Sequence, residues 1–208
     1  MKIIFTGGGT MGPVEPLLAV VERLRERHMD VSCVWIGTPH GPERKVIKPF
    51  GITFYELPVV RLPRYISPEW FLFPFRLLHS LIRAWKIVRC EHPDWIGSAG
   101  GYTSVPVVLV AKLFGCKVWV HQQDVLPLLT NRIVAPLADL VTYAWKENEK
   151  TFGKRGRHIG NPVRSNYLLG SASRARHAFG LGNQKPTLLV FGGGTGSLWI
   201  NALMDRVA

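Results

Sequence analysis

The chain is short of acid. Against 26 Lys and Arg its 208 residues set only 14 Asp and Glu, a formal net charge of +12. Its partners are therefore expected to be anionic: phosphorylated substrates, an anionic bilayer or nucleic acid. Nucleic acid fits least, because the basic residues are spread along the chain and no nucleic-acid-binding module is visible. Cysteine is also scarce. Cys33, Cys90 and Cys116 stand singly with no C-x-x-C pair, which excludes a disulfide framework and a cysteine metal site and predicts reduced thiols in a cytoplasmic protein. No apolar run reaches the ~18 residues of a membrane-spanning helix. Met1-Lys2-Ile3-Ile4-Phe5 enters a strand pattern at once, so a chain without a signal peptide is expected. Low-complexity tracts are missing too, and 47% of the residues are apolar, enough to bury the core of one domain and part of another.

What is abundant is glycine at the ends of strand patterns. Thr6-Gly7-Gly8-Gly9-Thr10-Met11-Gly12 follows Lys2-Ile3-Ile4-Phe5, Gly97-Ser98-Ala99-Gly100-Gly101-Tyr102 follows Trp95-Ile96, and Gly192-Gly193-Gly194-Thr195-Gly196 follows Leu188-Leu189-Val190-Phe191. Turns without a Cβ let backbone approach a ligand closely, and unpaired amides at a helix start favour anions. Glycines also end strands in many α/β proteins with no ligand at all, but three copies at strand ends point to phosphate-bearing ligands. Gly7, Gly9 and Gly12 satisfy G-x-G-x-x-G. The second strand pattern, Val31–Ile36, nevertheless runs into Gly37-Thr38-Pro39-His40 with no carboxylate for a ribose, which argues against a dinucleotide oxidoreductase.

Along the chain, helical spacing over Val14–Arg27 is followed by a strand at 31–36, a short helix near 43–49 and a strand at 52–57. Residues 58–89 open with four prolines and continue as a helix from Phe75 to Arg89, in which aromatic and aliphatic residues alternate with arginines. That pattern serves either packing on a sheet or an interfacial membrane patch over anionic headgroups. Strands follow at 94–96, 117–120 and 140–144, with helices at 105–114 and 128–137, then a basic, glycine-broken stretch at 153–158. Alternation of this kind predicts an α/β fold with a Rossmann-like parallel sheet, helices on both faces and ligands at the carboxyl ends of the strands. The expected organisation is a first domain over 1–164, a linker over 165–186 with a polar helix at 173–179, and over 187–208 the first βα unit of an incomplete second domain, its strand at 187–191.

These motifs, taken in order, resemble the MurG family of membrane-associated glycosyltransferases. Gly8-Gly9-Thr10-Met11-Gly12-Pro13-Val14-Glu15-Pro16 is similar to that family's G-G-T-G-G-H-x-x-P loop, and Gly100-Gly101-Tyr102-Thr103-Ser104 to its G-G-Y-x-S. His121-Gln122-Gln123-Asp124 with Leu129-Thr130-Asn131 is similar to H-E-Q-N and L-T-N, Gly160-Asn161-Pro162-Val163-Arg164 matches G-N-P-V-R, and Gly192–Gly196 is similar to G-G-S-Q-G. The resemblance implies the N-terminal half of a two-domain, inverting transferase of the GT-B type. Such an enzyme moves N-acetylglucosamine from UDP-GlcNAc to an undecaprenyl-diphosphate-linked acceptor at the cytoplasmic face of the inner membrane, as a peripheral protein with neither cofactor nor metal. Gly9, Thr10, Met11, Gly12, Gly100, Gly101, Tyr102 and Asn131 would face the acceptor diphosphate, with the helix starts after Gly12 and Gly101. Asp124, Arg164, Gly194, Thr195 and Gly196 would face the donor, and Arg64, Trp70, Phe71, Phe73, Arg76 and Arg83 the anionic membrane surface.

The chain departs from the family pattern where chemistry is expected. Pro13 stands in place of the first-loop histidine and can neither take nor give a proton. Met11 replaces a glycine and is expected to fill space left for a phosphate or sugar, Asp124 replaces an asparagine, and Gly194 replaces a serine. Candidate bases are Asp124, His121 and Glu15, in that order. Because the resemblance covers mainly the acceptor side, a truncated chain is expected, or one whose donor domain comes from a separate subunit. A non-catalytic lipid-diphosphate-binding module and a transferase with another acceptor are the alternatives.

Overall fold

The computed structural model describes residues 1–59, 69–182, 186–193 and 196–206, with the backbone alone at 69 and 70. The chain divides into two compact units, Met1–Arg164 and Ser165–Ala208.

Seven strands build the first unit: β1 (Lys2–Thr6), β2 (Ser32–Gly37), β3 (Thr53–Glu56), β4 (Trp95–Ser98), β5 (Lys117–Gln122), β6 (Leu140–Tyr143) and β7 (Gly156–His158). All pair in parallel in the order β3-β2-β1-β4-β5-β6-β7. The helices between them are α1 (Glu15–Glu26), α2 (Glu43–Ile47), α3 (Glu69–Glu91), α4 (Ser104–Leu113), α5 (Leu129–Val134) and α6 (Glu149–Phe152). The expected Rossmann-like sheet is the one observed. After β1 the chain moves to one side of the sheet, and after β3 it returns to the other. The neighbouring strands β1 and β4 are therefore where the chain's direction across the sheet reverses, and the loops that leave them lie at this switch point.

The strand period of two sorts the apolar side chains onto two faces. Ile4, Val34, Ile36, Ile96, Val118 and Val120 join Ala84, Ile87 and Val88 of α3 and Val107, Val108 and Ala111 of α4 in one cluster. Phe5 and Trp35 project the other way, onto Val14 and onto Leu17, Leu18 and Val21 of α1. The Trp35 indole stays satisfied inside by donating from Nε1 to the Gly7 carbonyl at 2.9 Å.

Three sequence expectations change. The helix expected from Phe75 starts at Glu69 and carries Pro74 inside it. Pro74 is exposed and near the helix start, where its missing N–H removes one hydrogen bond on the solvent side. The basic stretch 153–158 holds a short edge strand, β7, admitted because Gly156 fits against the Tyr143 ring while Arg157 and His158 face outward. In the second unit, α7 (Ala172–Ala178) and α8 (Leu198–Met204) form behind the serine N-caps Ser171 and Ser197. The strand expected at 187–191 is absent: the segment makes no ladder, and Leu188, Leu189 and Phe191 are exposed. A strand exists by pairing, and the described residues of this unit offer no other strand.

Gly97, in the middle of β4, lies where a Cβ would approach Phe5 Cδ1 at 2.8 Å and Trp119 Cε3 at 3.1 Å. Gly97→Ala is expected to destabilise the first unit by about 1–3 kcal/mol through overpacking. An unchanged urea unfolding midpoint would contradict this packing.

Candidate functional site

Three loops meet above the carboxyl ends of β1, β4 and β5. Gly9 of the first loop has φ +81°, open to glycine at little cost, and a Cβ there would stand 2.5 Å from the Tyr102 hydroxyl oxygen of the second loop. Pro13 is buried and lies 3.4 Å from where a Cβ of Gly101 would be, so it wedges the first loop against the second. Gly12 faces the Gln123 side-chain amide of the third loop. Gly100 faces Leu128 and Asn131 behind that loop.

The first loop is anchored from below by a residue the sequence reading passed over. Glu43, at the start of α2, is fully buried. Its Oε2 accepts from Gly9 N at 3.2 Å, and its Oε1 accepts from Thr38 N and Thr38 Oγ1, each at 2.6 Å. These three donors satisfy the buried carboxylate and tie the first loop to the end of β2. A Cβ on Gly8 would collide with the same carboxylate. No spacing rule marks a glutamate inside a Gly-Pro turn as a loop anchor.

The amides open to a ligand differ from those expected. Val14 N and Glu15 N both donate to the Met11 carbonyl, at 3.0 and 3.1 Å, and Pro16 has no N–H. The start of α1 therefore offers no free amide at these positions. Among the described residues the amides of Thr10, Met11 and Gly12 have no acceptor, and Thr10 and Gly12 are exposed. The half-buried Met11 side chain, expected to fill ligand space, packs on the cluster around Phe5 and Val14. In the second loop Ser98 and Ser104 hydroxyls lie 2.6 Å apart. Ser98 Oγ accepts from Gly100 N, and Ser104 Oγ donates to the Gly100 carbonyl at 2.8 Å.

Of the three candidate bases, two are already occupied. His121 is fully buried. Thr142 Oγ1 accepts from Trp119 Nε1 at 2.8 Å and stands 2.9 Å from His121 Nδ1, and His121 Nε2 stands 3.2 Å from Asn161 Oδ1. The chain of donors assigns a neutral ring with Nε2–H directed at Asn161 and Nδ1 accepting from Thr142. Burial holds its pKa below the usual histidine value, with the Asn161 bond opposing. His121 thus braces β5, β6 and the 160–164 segment instead of facing a ligand. Glu15 lies 3.6 Å from Arg164, whose Nε donates to Glu22 at 2.8 Å and whose guanidinium sits 5.3 Å from the Phe50 ring centre. That network engages both Glu15, expected as a base, and Arg164, expected at the donor. Asp124 differs. It is exposed, and its carboxylate has no hydrogen-bond partner among the described residues. Partial burial raises its pKa above the usual carboxylate value.

Asn131, expected to face the acceptor, is fully buried and donates to the His121 carbonyl at 3.1 Å and to Gln122 Oε1 at 2.7 Å. Gln122 in turn donates to the Asp124 and Leu126 carbonyls. The two amides therefore set the course of the third loop from inside. Gly194 and Thr195 lie outside the described residues, as does Arg64 and the side chain of Trp70, while Gly196 is exposed in the second unit. On α3, Phe71, Phe75, Leu78, Ile82 and Trp85 are exposed, whereas Phe73 is only half-exposed, off that stripe. Arg76 and Arg83 are exposed beside it. No helix among the described residues is long and apolar enough to cross a membrane, and no group of three or more His, Cys, Asp or Glu there could hold a metal.

The buried neutral imidazole makes a pH prediction. With its folded-state pKa below 6.5, the unfolded chain binds the extra proton first. The stability conferred by neutral His121 is complete above pH ~6.5 and falls as the pH drops toward the folded-state value. His121→Gln should flatten the loss of unfolding free energy as the pH falls below about 6.5. An identical pH slope in the variant would contradict the assignment.

Residues 3–142 match the Glycosyltransferase family 28 N-terminal domain. Curated relatives include UDP-N-acetylglucosamine–N-acetylmuramyl-(pentapeptide) pyrophosphoryl-undecaprenol N-acetylglucosamine transferases. That of Clostridium kluyveri is 37% identical over 96% of this chain, and that of Carboxydothermus hydrogenoformans 34% identical over 98%. The chain spans 56% of the length of each. Among solved structures, Acinetobacter baumannii MurG superimposes with a TM-score of 0.65 at 25% identity, over 79% of this chain and 46% of that one. UDP-GlcNAc 2-epimerase from Neisseria meningitidis shares the fold at a TM-score of 0.60 and 14% identity, over 87% of this chain and 52% of that one. The matched domain, its glycine loops and its sheet order agree: the chain belongs to glycosyltransferase family 28 and carries that family's N-terminal domain.

Proposed function

We propose that this chain is the acceptor-binding part of an inverting transferase that moves N-acetylglucosamine from UDP-GlcNAc to a polyprenyl-diphosphate-linked N-acetylmuramyl acceptor. It works as a peripheral protein on the cytoplasmic face of the inner membrane. The observation that carries the reading is the interlock of the two glycine-rich loops after β1 and β4 with the loop after β5 at the sheet's switch point, with the amides of Thr10, Met11 and Gly12 unclaimed. Backbone amides of this kind suit the anionic oxygens of a diphosphate. The relatives' names supply the substrates.

In this reading the acceptor diphosphate rests on the first loop and the acceptor hydroxyl approaches the third. Asp124 takes the hydroxyl proton as the oxygen attacks the anomeric carbon. UDP leaves from the opposite face of the sugar, held by a donor domain that a longer chain or a separate subunit provides. Partial burial, which raises the Asp124 pKa, moves it toward the range in which a carboxylate base is most effective. One feature favours a second reading, a non-catalytic lipid-diphosphate-binding module: Pro13 replaces a protonatable side chain by a wedge between loops.

Joining the chain to the C-terminal half of a family member separates the two. Transfer from UDP-GlcNAc should appear only in the joined protein, since both reactants must share one cleft. Asp124→Asn in that protein should lower kcat by on the order of 10²–10⁴-fold with a smaller change in KM for the acceptor. Full activity in the Asn variant would exclude Asp124 as the base. Acceptor binding without transfer by the joined protein would establish the binding module.

A further inference from the structure

A buried charge lies beneath the loop that offers its amides to an anion, and its sign is negative. Glu43 is fully buried. No cation among the described residues pairs with it, and Arg44, its neighbour in the chain, is paired with Glu56 instead. The Glu43 carboxylate accepts from Gly9 N, Thr38 N and Thr38 Oγ1. These neutral donors order the group and leave its charge whole.

That charge is close to any anion seated on the loop. Gly9 N stands 3.2 Å from Glu43 Oε2. The next amide, Thr10 N, lies at most about 3.8 Å farther on, and an oxygen accepting from it about 2.9 Å beyond, so such an oxygen is no more than about 10 Å from the carboxylate. At that distance, and at an effective dielectric constant of about 20, one further unit of ligand charge is worth roughly tenfold in affinity. Diphosphates differ in just this respect. One esterified at both ends, to a lipid and to a sugar, carries two negative charges. One with a free terminal phosphate carries close to three in mildly alkaline solution, because the second proton of the terminal group leaves near pH ~6. The loop amides attract both, and attract the third charge as well. The carboxylate behind them opposes it.

We propose that Glu43 is a specificity-determining residue, whose charge biases the first loop toward a diphosphate esterified at both ends and against a lipid diphosphate with a free end, which brings no acceptor hydroxyl. This rests on the acceptor reading proposed above and adds to it a selection by ligand charge. Anchoring the loop acts on every ligand of its amides alike. The charge separates one ligand from another.

The test is calorimetric titration of the chain, in mildly alkaline buffer, with geranyl diphosphate and with the methyl ester of its terminal phosphate, two probes that differ by one methyl group and one charge. E43Q should shift the ratio of the two association constants by about tenfold in favour of geranyl diphosphate. T38V removes one donor to Glu43 and keeps the charge, so it should leave the ratio unchanged even where it weakens both probes. If circular dichroism shows that E43Q does not fold, T38V/E43M removes the carboxylate together with its hydroxyl partner and should give the same shift. Equal weakening of both probes in the variant without the charge would make Glu43 an anchor only and overturn the proposal. The same shift in T38V would assign the ratio to loop position and overturn it as well. Binding of neither probe by the unaltered chain also overturns it, and the acceptor reading falls with it only if a sugar-linked lipid diphosphate fails to bind too.

Discussion

Three loops can meet above one edge of this sheet only because their contact points carry no Cβ. At Gly9 a side chain would drive into Tyr102, at Gly8 into the Glu43 carboxylate and at Gly100 into Leu128. Contact at backbone distance in turn leaves little freedom for the loops to move independently. The position of the unclaimed amides of Thr10–Gly12 is therefore fixed by the second loop in front and by Glu43 beneath. The same constraint extends into the sheet at Gly97, which lets Phe5 and Trp119 close over β4.

A second layer of polar brackets holds this arrangement from inside. Glu43 spends its carboxylate on Gly9 and Thr38, Gln122 and Asn131 shape the third loop, and His121 links Thr142 to Asn161. Arg164 closes the end of the first unit onto α1 through Glu15 and Glu22. Apart from Asn131 Oδ1, which is buried without a partner among the described residues, the brackets are buried or half-buried polar groups with their partners in place, and such groups fix one arrangement because any other leaves them unpaired. What remains for chemistry is what the brackets leave unspent: the first-loop amides and the Asp124 carboxylate.

The sheet and most of its helices were legible because periodicity reports burial directly. Ile4 and Phe5, or Val34 and Trp35, point to opposite faces whatever else the chain does. The glycine turns were legible for a related reason, since close approach excludes any larger residue. Residue type alone could not separate a ligand-facing polar group from a bracket. His121, Glu15, Arg164 and Asn131 all carry chemistry suited to a site, and the structure turns each inward to a protein partner. Glu43 was missed because its role depends on which backbone amides the fold brings beneath it. The packing of Met11 on the cluster around Phe5 was not legible because a loop residue's direction depends on the apolar cluster it meets. The continuous apolar run Leu188–Phe191 predicts a strand from composition, but a ladder needs a neighbour and none forms there. The α3 stripe was legible as composition, whereas its division into exposed apolar, basic and buried sectors required knowing which face meets the sheet.

The central claim is that this chain is built to hold the acceptor, with the donor nucleotide held elsewhere. Calorimetric titration of the chain with a short-chain polyprenyl-diphosphate N-acetylmuramyl pentapeptide, and separately with UDP-GlcNAc, tests it most directly. The account predicts saturable binding of the first, weakened by Gly9→Val, which drives a side chain into Tyr102, and no measurable binding of the second. Binding of UDP-GlcNAc with no binding of the lipid-linked sugar would contradict it.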